Sequence, residues 1–218
     1  MNSKKKMIIS ISAFALVLIS TVVSIVAVLA AQNVTIKNNL TVSYQVKDVA
    51  VEVTLWVGKI ENDATYDWDD IESKTVEFGI DGLSNASGSG ITGEAGSDMA
   101  EIEWEDLELT KTQCVIMRFL FINKSDRAFT ITHESVFGEN VEGANVSIYY
   151  TAADGGDLTS LDESDLFLNQ DLQEGRISVA GGEENETEFY IRLTITDPTK
   201  NVDDYEFSFD FLLEADFS

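Results

Sequence analysis

The stretch VTIKNNLTVSYQVKDVAVEVTLWV, residues 34–57, alternates apolar and polar side chains along nearly its whole length. In its first half the apolar residues fall on even numbers: Val34, Ile36, Leu40, Val42, Tyr44 and Val46. After Lys47 and Asp48 they fall on odd numbers, from Val49 to Val57. Alternation with a period of two predicts two long β-strands, each with one buried face. The change of phase places their junction at Lys47–Asp48, where the two strands either form a hairpin or separate.

Apolar runs elsewhere predict further short strands, so that the whole chain would contain about ten. They are Val76–Ile80, Ile102–Trp104, Cys114–Ile122, Ala128–Thr132, Asn145–Tyr150, Arg176–Val179, Glu188–Thr196 and Tyr205–Leu213. The run at Cys114–Ile122 is apolar on both faces, which is typical of a central strand that is covered on both sides. A helix is expected at Thr159–Asn169, and a loop at the glycine-rich Gly79–Gly96. The fold class is therefore all-β, a two-sheet antiparallel sandwich.

The first 31 residues have the pattern of an export signal. Lys4, Lys5 and Lys6 precede 25 uncharged, mostly apolar residues, 7–31. As a helix this segment would be roughly 37 Å long, enough to cross a hydrocarbon core of about 30 Å, which favours a retained membrane anchor. Small residues at Val28 and Ala30 would instead suit a peptidase that cleaves before Ala31. The sequence predicts a signal peptide or signal-anchor helix at 1–31, and an extracellular β-sandwich domain at 32–218.

Composition excludes several classes of function. The chain has 39 Asp plus Glu against 14 Lys plus Arg, a net charge of −25, so it would repel nucleic acid. One cysteine, Cys114, cannot form an internal disulfide, and with one histidine, His133, it cannot form the usual zinc sites. Neither residue lies in a recognisable catalytic motif. We therefore expect a non-catalytic protein in which Cys114 is a core residue and His133 ends a strand.

Calcium is the one cofactor that the sequence leaves open, because oxygen ligands are abundant in the chain. The candidate ligands are Asp154 and Asp157, which flank two glycines, and Asp162 shortly after them. A solvated acidic surface is the alternative interpretation of these residues. Three tryptophans, at positions 56, 68 and 104, raise the option of a glycan platform, but their spacing predicts no aligned row.

Glycosylation is a further expectation for an exported chain. Six Asn-X-Ser/Thr sequons occur, more than the composition alone would give. They begin at Asn33, Asn39, Asn85, Asn123, Asn145 and Asn185. The alternative is that asparagine and threonine serve turns and strands at these positions.

The strand Gln32–Val46 emerges directly from the export segment and carries six apolar side chains on one face. If half of them are buried, they contribute roughly 5 to 9 kcal/mol before ordering costs. The strand would either open the sandwich of its own subunit or insert into the sheet of a neighbour, as in donor-strand complementation. Repeated from copy to copy, the second arrangement makes a fibre.

Four stretches together resemble one family of surface proteins. They are KKKMIISISAFALVLISTVVSIVAVLAAQ (4–32), VTIKNNLTVSYQVKDVAVEV (34–53), FLFINKS (119–125) and EFSFDFLLEA (206–215). Their layout resembles that of the TasA and camelysin-like exported β-sandwich proteins of Gram-positive bacteria and the related archaeal bundling pilins. The resemblance implies a jelly-roll domain, export through a dedicated signal segment, and extracellular fibres in a matrix. Some camelysin relatives are metallopeptidases, but this chain has no matching zinc ligand set.

The sequence therefore predicts a structural subunit of the cell surface or of an extracellular filament. Its partners would be copies of itself, joined through Val34–Val46, and the membrane, if residues 7–31 are retained. The alternative is a membrane-anchored monomeric module that binds calcium or a glycan.

Overall fold

The computed structural model describes residues 38–61, 67–105, 107–110, 112–137, 145–151, 177–182, 185–197 and 205–216. For 133–137, 145–151 and 195–197 the backbone alone is described. All of these residues belong to 36–218, the second of the two units into which the chain divides. The segment 1–31 and the helix expected at 159–169 lie outside the described residues.

The described part of the chain is an all-β sandwich, as the sequence predicts. Its strands are β1 (Asn38–Lys47), β2 (Val51–Glu61), β3 (Ser73–Gly79), β4 (Gly82–Ser87), β5 (Ile91–Thr92), β6 (Met99–Trp104), β7 (Gln113–Asn123), β8 (Phe129–Phe137), β9 (Asn145–Thr151), β10 (Ile177–Val179), β11 (Glu186–Asp197) and β12 (Tyr205–Ala215). One short 3₁₀ helix, η1, spans Trp68–Asp70. The first sheet has the order β10-β8-β12-β1-β6-β5, and the second has the order β4-β3-β2-β7-β11-β9.

The change of phase after Lys47 marks the point where the chain passes from one sheet to the other. β1 lies in the first sheet and β2 in the second, so the two strands separate and do not form a hairpin. Asp48 makes the corner with a φ of 59°, and it is the one non-glycine residue with a positive φ among those described. Most L-residues in this region cost about 1–2 kcal/mol and aspartate costs less, so the corner carries a small strain.

The core lies between the two sheets and is rich in aromatic rings. Phe211 of β12 packs against Phe119 of β7, with ring centroids 5.0 Å apart, and against Phe189 of β11, at 5.6 Å. Phe119 and Phe189 stack on each other at 4.8 Å. Such contacts join the alternating faces that the sequence predicts for β11 and β12.

The outer face of the second sheet carries a smaller apolar cluster. Cys114, Ile116 and Tyr190 are buried there, covered by Trp68 of η1 and by Ile71. A Cβ atom on Gly58 would lie 3.1 Å from Ile71, so the glycine lets the segment after η1 pack closely on β2. This cover confirms, for the first half of β7, the expectation of a strand buried on both faces.

The glycine-rich Gly79–Gly96 is not a simple loop, and the prediction of one was wrong. It contains β4, which pairs with β3, and β5, which pairs with β6. Gly82 has a φ of 100°, and a Cβ atom on it would lie 2.5 Å from the backbone of Gly96. A Cβ atom on Gly90 would lie 2.7 Å from the carbonyl oxygen of Glu103. The glycines here permit close backbone approach, which composition alone does not distinguish from flexibility.

Candidate assembly interface

β1 occupies the middle of the first sheet, between β12 and β6. It runs parallel to β12, in register from Asn38↔Tyr205 to Lys47↔Glu214, and antiparallel to β6. Every other strand pair among the described residues is antiparallel. The strand that opens the described chain thus lies beside the strand that closes it. Without β1, β12 and β6 would each lose the hydrogen-bonding partner along one whole edge.

The inner face of β1 is deeply buried. Leu40, Val42, Tyr44 and Val46 are each at most 5% exposed. At about 1.5 to 3 kcal/mol per side chain, their burial contributes roughly 6 to 12 kcal/mol before ordering costs. The even-numbered face predicted from the sequence is the buried one, and its first two members, Val34 and Ile36, lie outside the described residues.

Tyr44 is the one imperfect fit on this inner face. Its ring stacks on Phe211 at 5.5 Å and meets Phe121 edge-on at 6.3 Å. Its hydroxyl group is buried and has no hydrogen-bond partner in the part of the chain that the structure describes. Burial raises the pKa of this phenol well above its usual 10. An unpaired buried polar group costs about 1–3 kcal/mol, so β1 is held less tightly than its apolar contacts alone would suggest.

Both ends of β1 are fixed by backbone contacts to neighbouring segments. At the start, Asn38 and Leu107 exchange backbone hydrogen bonds of 3.1 and 2.9 Å, and the Asn38 side-chain amide donates to the same Leu107 carbonyl at 2.8 Å. At the end, the Val46 N–H donates to the Asp98 carbonyl at 2.8 Å. Lys47 lies 3.5 Å from Glu214, but both side chains are exposed, so this ion pair contributes little.

The outer face of β1 is uncharged until Lys47, whereas the strands on both sides of it are acidic. Asn39, Thr41, Ser43 and Gln45 alternate with the buried residues. Ser43 lies in register with Glu101 of β6 on one side and with Asp210 of β12 on the other. These three residues help to line a groove of about 550 Å³ on the surface of the first sheet. The sequence alone does not identify these flanking carboxylates, because assigning them to β1 requires knowing its neighbours in the sheet.

The predicted glycosylation sites occupy different environments. Asn85 is exposed on β4, Asn39 is half-buried on the outer face of β1, and Asn185 is exposed, with its amide donating to the Gly181 carbonyl at 2.8 Å. Asn145 begins β9 with its side chain outside the described atoms, and Asn33 lies outside the described residues.

Asn123 is a structural residue in the folded chain, which argues against its use as a sequon. It is fully buried, and its amide nitrogen donates to the carbonyls of Arg127 at 2.7 Å and Ala180 at 2.9 Å. Its side-chain oxygen accepts from the N–H and the hydroxyl group of Ser125, at 2.8 and 2.9 Å. A sugar on this nitrogen would displace those bonds. The Asn-Lys-Ser spacing that matches a sequon also suits a turn closed by the asparagine side chain.

The candidate calcium ligands Asp154, Asp157 and Asp162 lie outside the described residues. Within the ranges that are described, no group of three His, Cys, Asp or Glu side chains is placed to hold a metal ion. Asp67 caps η1 by accepting a hydrogen bond of 3.0 Å from the Asp69 N–H.

The two residues considered for chemistry lie in different sheets. The backbone of His133 is in register with Phe211 in the first sheet. Cys114 is buried in the second sheet, where desolvation raises the pKa of its thiol against the opposing effect of Arg192.

The three tryptophans do not share one surface. Trp104 is buried on the inner face of β6, with the Lys74 ammonium 3.7 Å from its ring centroid. Trp56 lies on the outer face of the second sheet, where the Arg118 guanidinium covers its ring at 4.7 Å. Trp68 packs on Tyr190 at 5.6 Å. Each ring is used in packing.

Over the residues that the structure describes, no helix combines the length and apolar character needed to cross a bilayer.

Comparison with known proteins adds no family assignment. No protein-family model matches the sequence, and no curated protein matches it. Among solved structures, an alignment with the major pilin protein (T-13) from Streptococcus pyogenes covers 84% of this chain and 99% of that chain, at 8% identity. Its TM-score is 0.12, which is too low to support a shared fold or function.

Proposed function

We propose that this chain is an exported, non-catalytic structural subunit of the cell surface or of an extracellular filament, and that copies join by exchanging the strand Val34–Val46. Its partners are further copies of itself, and the membrane where residues 7–31 are retained. The charge of −25 argues against nucleic acid as a partner. Neither a cofactor nor calcium is required by this function.

The position of β1 is the observation that carries the proposal. β1 fills a central place in its sheet, yet it joins the rest of the described fold through the chain at one end alone, Asp48–Ala50. Among the described residues, it can therefore leave without breaking any other strand pair. An identical strand from a neighbour can make the same bonds, which is why exchange of a terminal element is a low-cost route to assembly.

One local feature weakens the closed form, in which β1 stays in its own sheet, relative to the exchanged form. The connection Asp48–Ala50 is the hinge of β1, and its first residue has a strained φ of 59°. Short hinges under strain favour exchange of the element that they carry. The Tyr44 hydroxyl, which has no partner among the described residues, weakens the binding of β1 equally in both forms, because the same ring would carry that cost in a neighbour. Strain at the hinge is relieved on opening, so it biases the equilibrium between the two forms.

Export and fibre formation are supported by sequence pattern. The basic and apolar segment 4–31 has the pattern of an export signal. The resemblance to TasA and camelysin-like proteins implies a jelly-roll arrangement of the sandwich and fibres outside the cell. We extend both features to this chain as parts of the proposal.

A disulfide between β1 and β6 tests strand exchange. Because Val46 and Asp98 form a hydrogen-bonded pair, Gln45 and Met99 form the adjacent non-hydrogen-bonded pair, with Cα atoms about 4.5 Å apart. That separation suits a disulfide. One chain receives Gln45→Cys and another receives Met99→Cys, and the two are refolded together and oxidised. The native Cys114 is buried and stays silent.

We expect a covalent product of two chains on a non-reducing gel, increasing with protein concentration. The double variant in one chain is the positive control for pair geometry. Replacing Met99→Cys by Asn85→Cys, an exposed site in the other sheet, is the matched negative control. If the double variant closes within one chain while the mixture gives no linked product at any concentration, the subunit is a closed monomer. The membrane-anchored binding module is then the better interpretation.

A further inference from the structure

We propose that the position between β6 and β12 binds a strand according to its charge. It accepts β1 of a second copy because the outer face of that strand carries no carboxylate. This inference rests on the proposed strand exchange and specifies how the partner is recognised. It concerns the outer face of the first sheet, whereas the exchange itself depends on the inner face and the hinge.

The flanking strands form two acidic walls. β6 presents Glu101 and Glu103, and β12 presents Glu206, Asp210 and Glu214. Register places Asn39 beside Glu206, Thr41 beside Glu103, and Ser43 between Glu101 and Asp210. At each of these positions β1 offers a neutral hydroxyl or amide group. At the last position it offers Lys47 beside Glu214.

The distribution of charge along the chain matches this arrangement. All 39 acidic residues lie from Asp48 onward, and none precedes it. Five of the 14 basic residues, Lys4, Lys5, Lys6, Lys37 and Lys47, precede Asp48. The boundary falls at the end of β1, so the segment 34–47 carries Lys37 and Lys47 and no acidic residue, while the body that receives it is strongly anionic. Charge complementarity of this kind favours the correct partner over wrong ones.

The same walls disfavour other occupants. Glu101 and Asp210 would face each other if β6 and β12 closed upon one another, and like charges directly opposite destabilise a strand pair. A strand with acidic outward residues, such as β12 of another copy, would meet like charge on both sides. The walls therefore keep the place available for a neutral strand, which is specificity achieved by repulsion.

The test uses full-length chains changed at Ser43, whose side chain is half-buried on the outer face. Ser43→Glu adds a carboxylate between two others, and Ser43→Gln is the neutral control of the same length. At low salt we expect the affinity between copies to be about 2- to 30-fold weaker for Ser43→Glu than for Ser43→Gln. The measured sign of this is a smaller fraction of sedimenting polymer. In 1 M salt, where the screening length is about 3 Å, the difference should largely disappear.

Rescue between chains separates the two proposals. A second chain carries Glu101→Lys and Asp210→Lys, and mixing it with the Ser43→Glu chain should restore a polymer that contains both. A third chain carries all three substitutions and is the control for folding. Its urea unfolding midpoint is compared with that of the Ser43→Glu chain.

Each outcome is decisive. Rescue in the mixture supports charge selection between copies. Equal assembly of Ser43→Glu and Ser43→Gln overturns charge selection and leaves strand exchange standing. The triple variant could regain the urea unfolding midpoint that Ser43→Glu has lost, while no mixture forms polymer. That result would show that β1 stays in its own sheet. It would overturn the strand exchange and with it the selection of a second copy.

Discussion

Tyr44 offers the most direct test at the scale of a single residue. Its hydroxyl is buried and has no partner among the described residues, so replacing it with hydrogen removes a desolvation cost and little else. We expect Tyr44→Phe to raise the free energy of unfolding by about 1 kcal/mol, measured by urea denaturation at pH 7. Tyr205→Phe is the matched control, because the Tyr205 hydroxyl is not among the unpaired buried groups. A loss of stability in Tyr44→Phe would indicate a hydrogen bond that this structure does not contain.

The same variant should change the response to alkaline pH. Burial raises the pKa of Tyr44 above its usual 10, so the folded state favours the protonated phenol. The resulting stability is fully present below pH 10 and is lost as the pH rises toward the folded-state pKa. Tyr44→Phe should therefore lose less stability above pH 10 than the parent chain does. Part of the loss should remain, because burial also raises the pKa values of Tyr205 and Cys114.

For single residues, the sequence predicted which side chains are buried better than it predicted which groups they contact. The even-numbered pattern placed Tyr44 in the core, but no pattern shows whether a buried hydroxyl finds a partner. Asn123 has the spacing of a sequon, yet two of its four side-chain hydrogen bonds go to the carbonyls of Arg127 and Ala180, which only the folded chain brings to it.

Among the elements, β1 and its hinge govern the balance between closed and exchanged forms. Asp48→Gly accommodates the φ of 59° without steric cost, so it should stabilise the closed chain by up to about 1 kcal/mol and reduce linked product in the disulfide assay. Asp48→Val should do the reverse, because a β-branched residue is poorly tolerated at positive φ. Asp48→Asn removes the charge while tolerating the conformation, and it should behave like the parent. Equal amounts of disulfide-linked product in the glycine and valine variants would mean that the conformation at position 48 does not control the equilibrium between the closed and exchanged forms.

The strands could be predicted from sequence, but their partners could not. Period-two alternation marks β1, β2, β11 and β12, because each has one face in the core. This alternation is the same whether a neighbouring strand is parallel or antiparallel. The pairing of β1 with β12 was therefore not predicted, and neither were the acidic walls. The segment Gly79–Gly96 was mistaken for a loop, since glycines that permit close packing and glycines that confer freedom have the same composition.

For the whole molecule, net charge should control how readily copies meet. From Asp48 onward the chain holds 39 acidic and nine basic residues, so two bodies repel, and the lysines of the donated segment are too few to reverse this. Raising NaCl from about 20 mM to 0.5 M shortens the screening length from roughly 20 Å to about 4 Å. We expect assembly, followed by light scattering at pH 7, to become faster and more complete over this range. Slower assembly at high salt would mean that attraction between the lysines and the acidic body is the stronger effect.

The parallel pairing of β1 with β12 also dictates the order in which the domain is made. Lys47 meets Glu214 across 167 positions of the chain, so β1 has no neighbour on that side until β12 has been synthesised. Contacts of such long range slow folding. Each newly synthesised molecule therefore passes through a stage in which β1 has no partner on that side, and the first sheet is completed only when β12 reaches it.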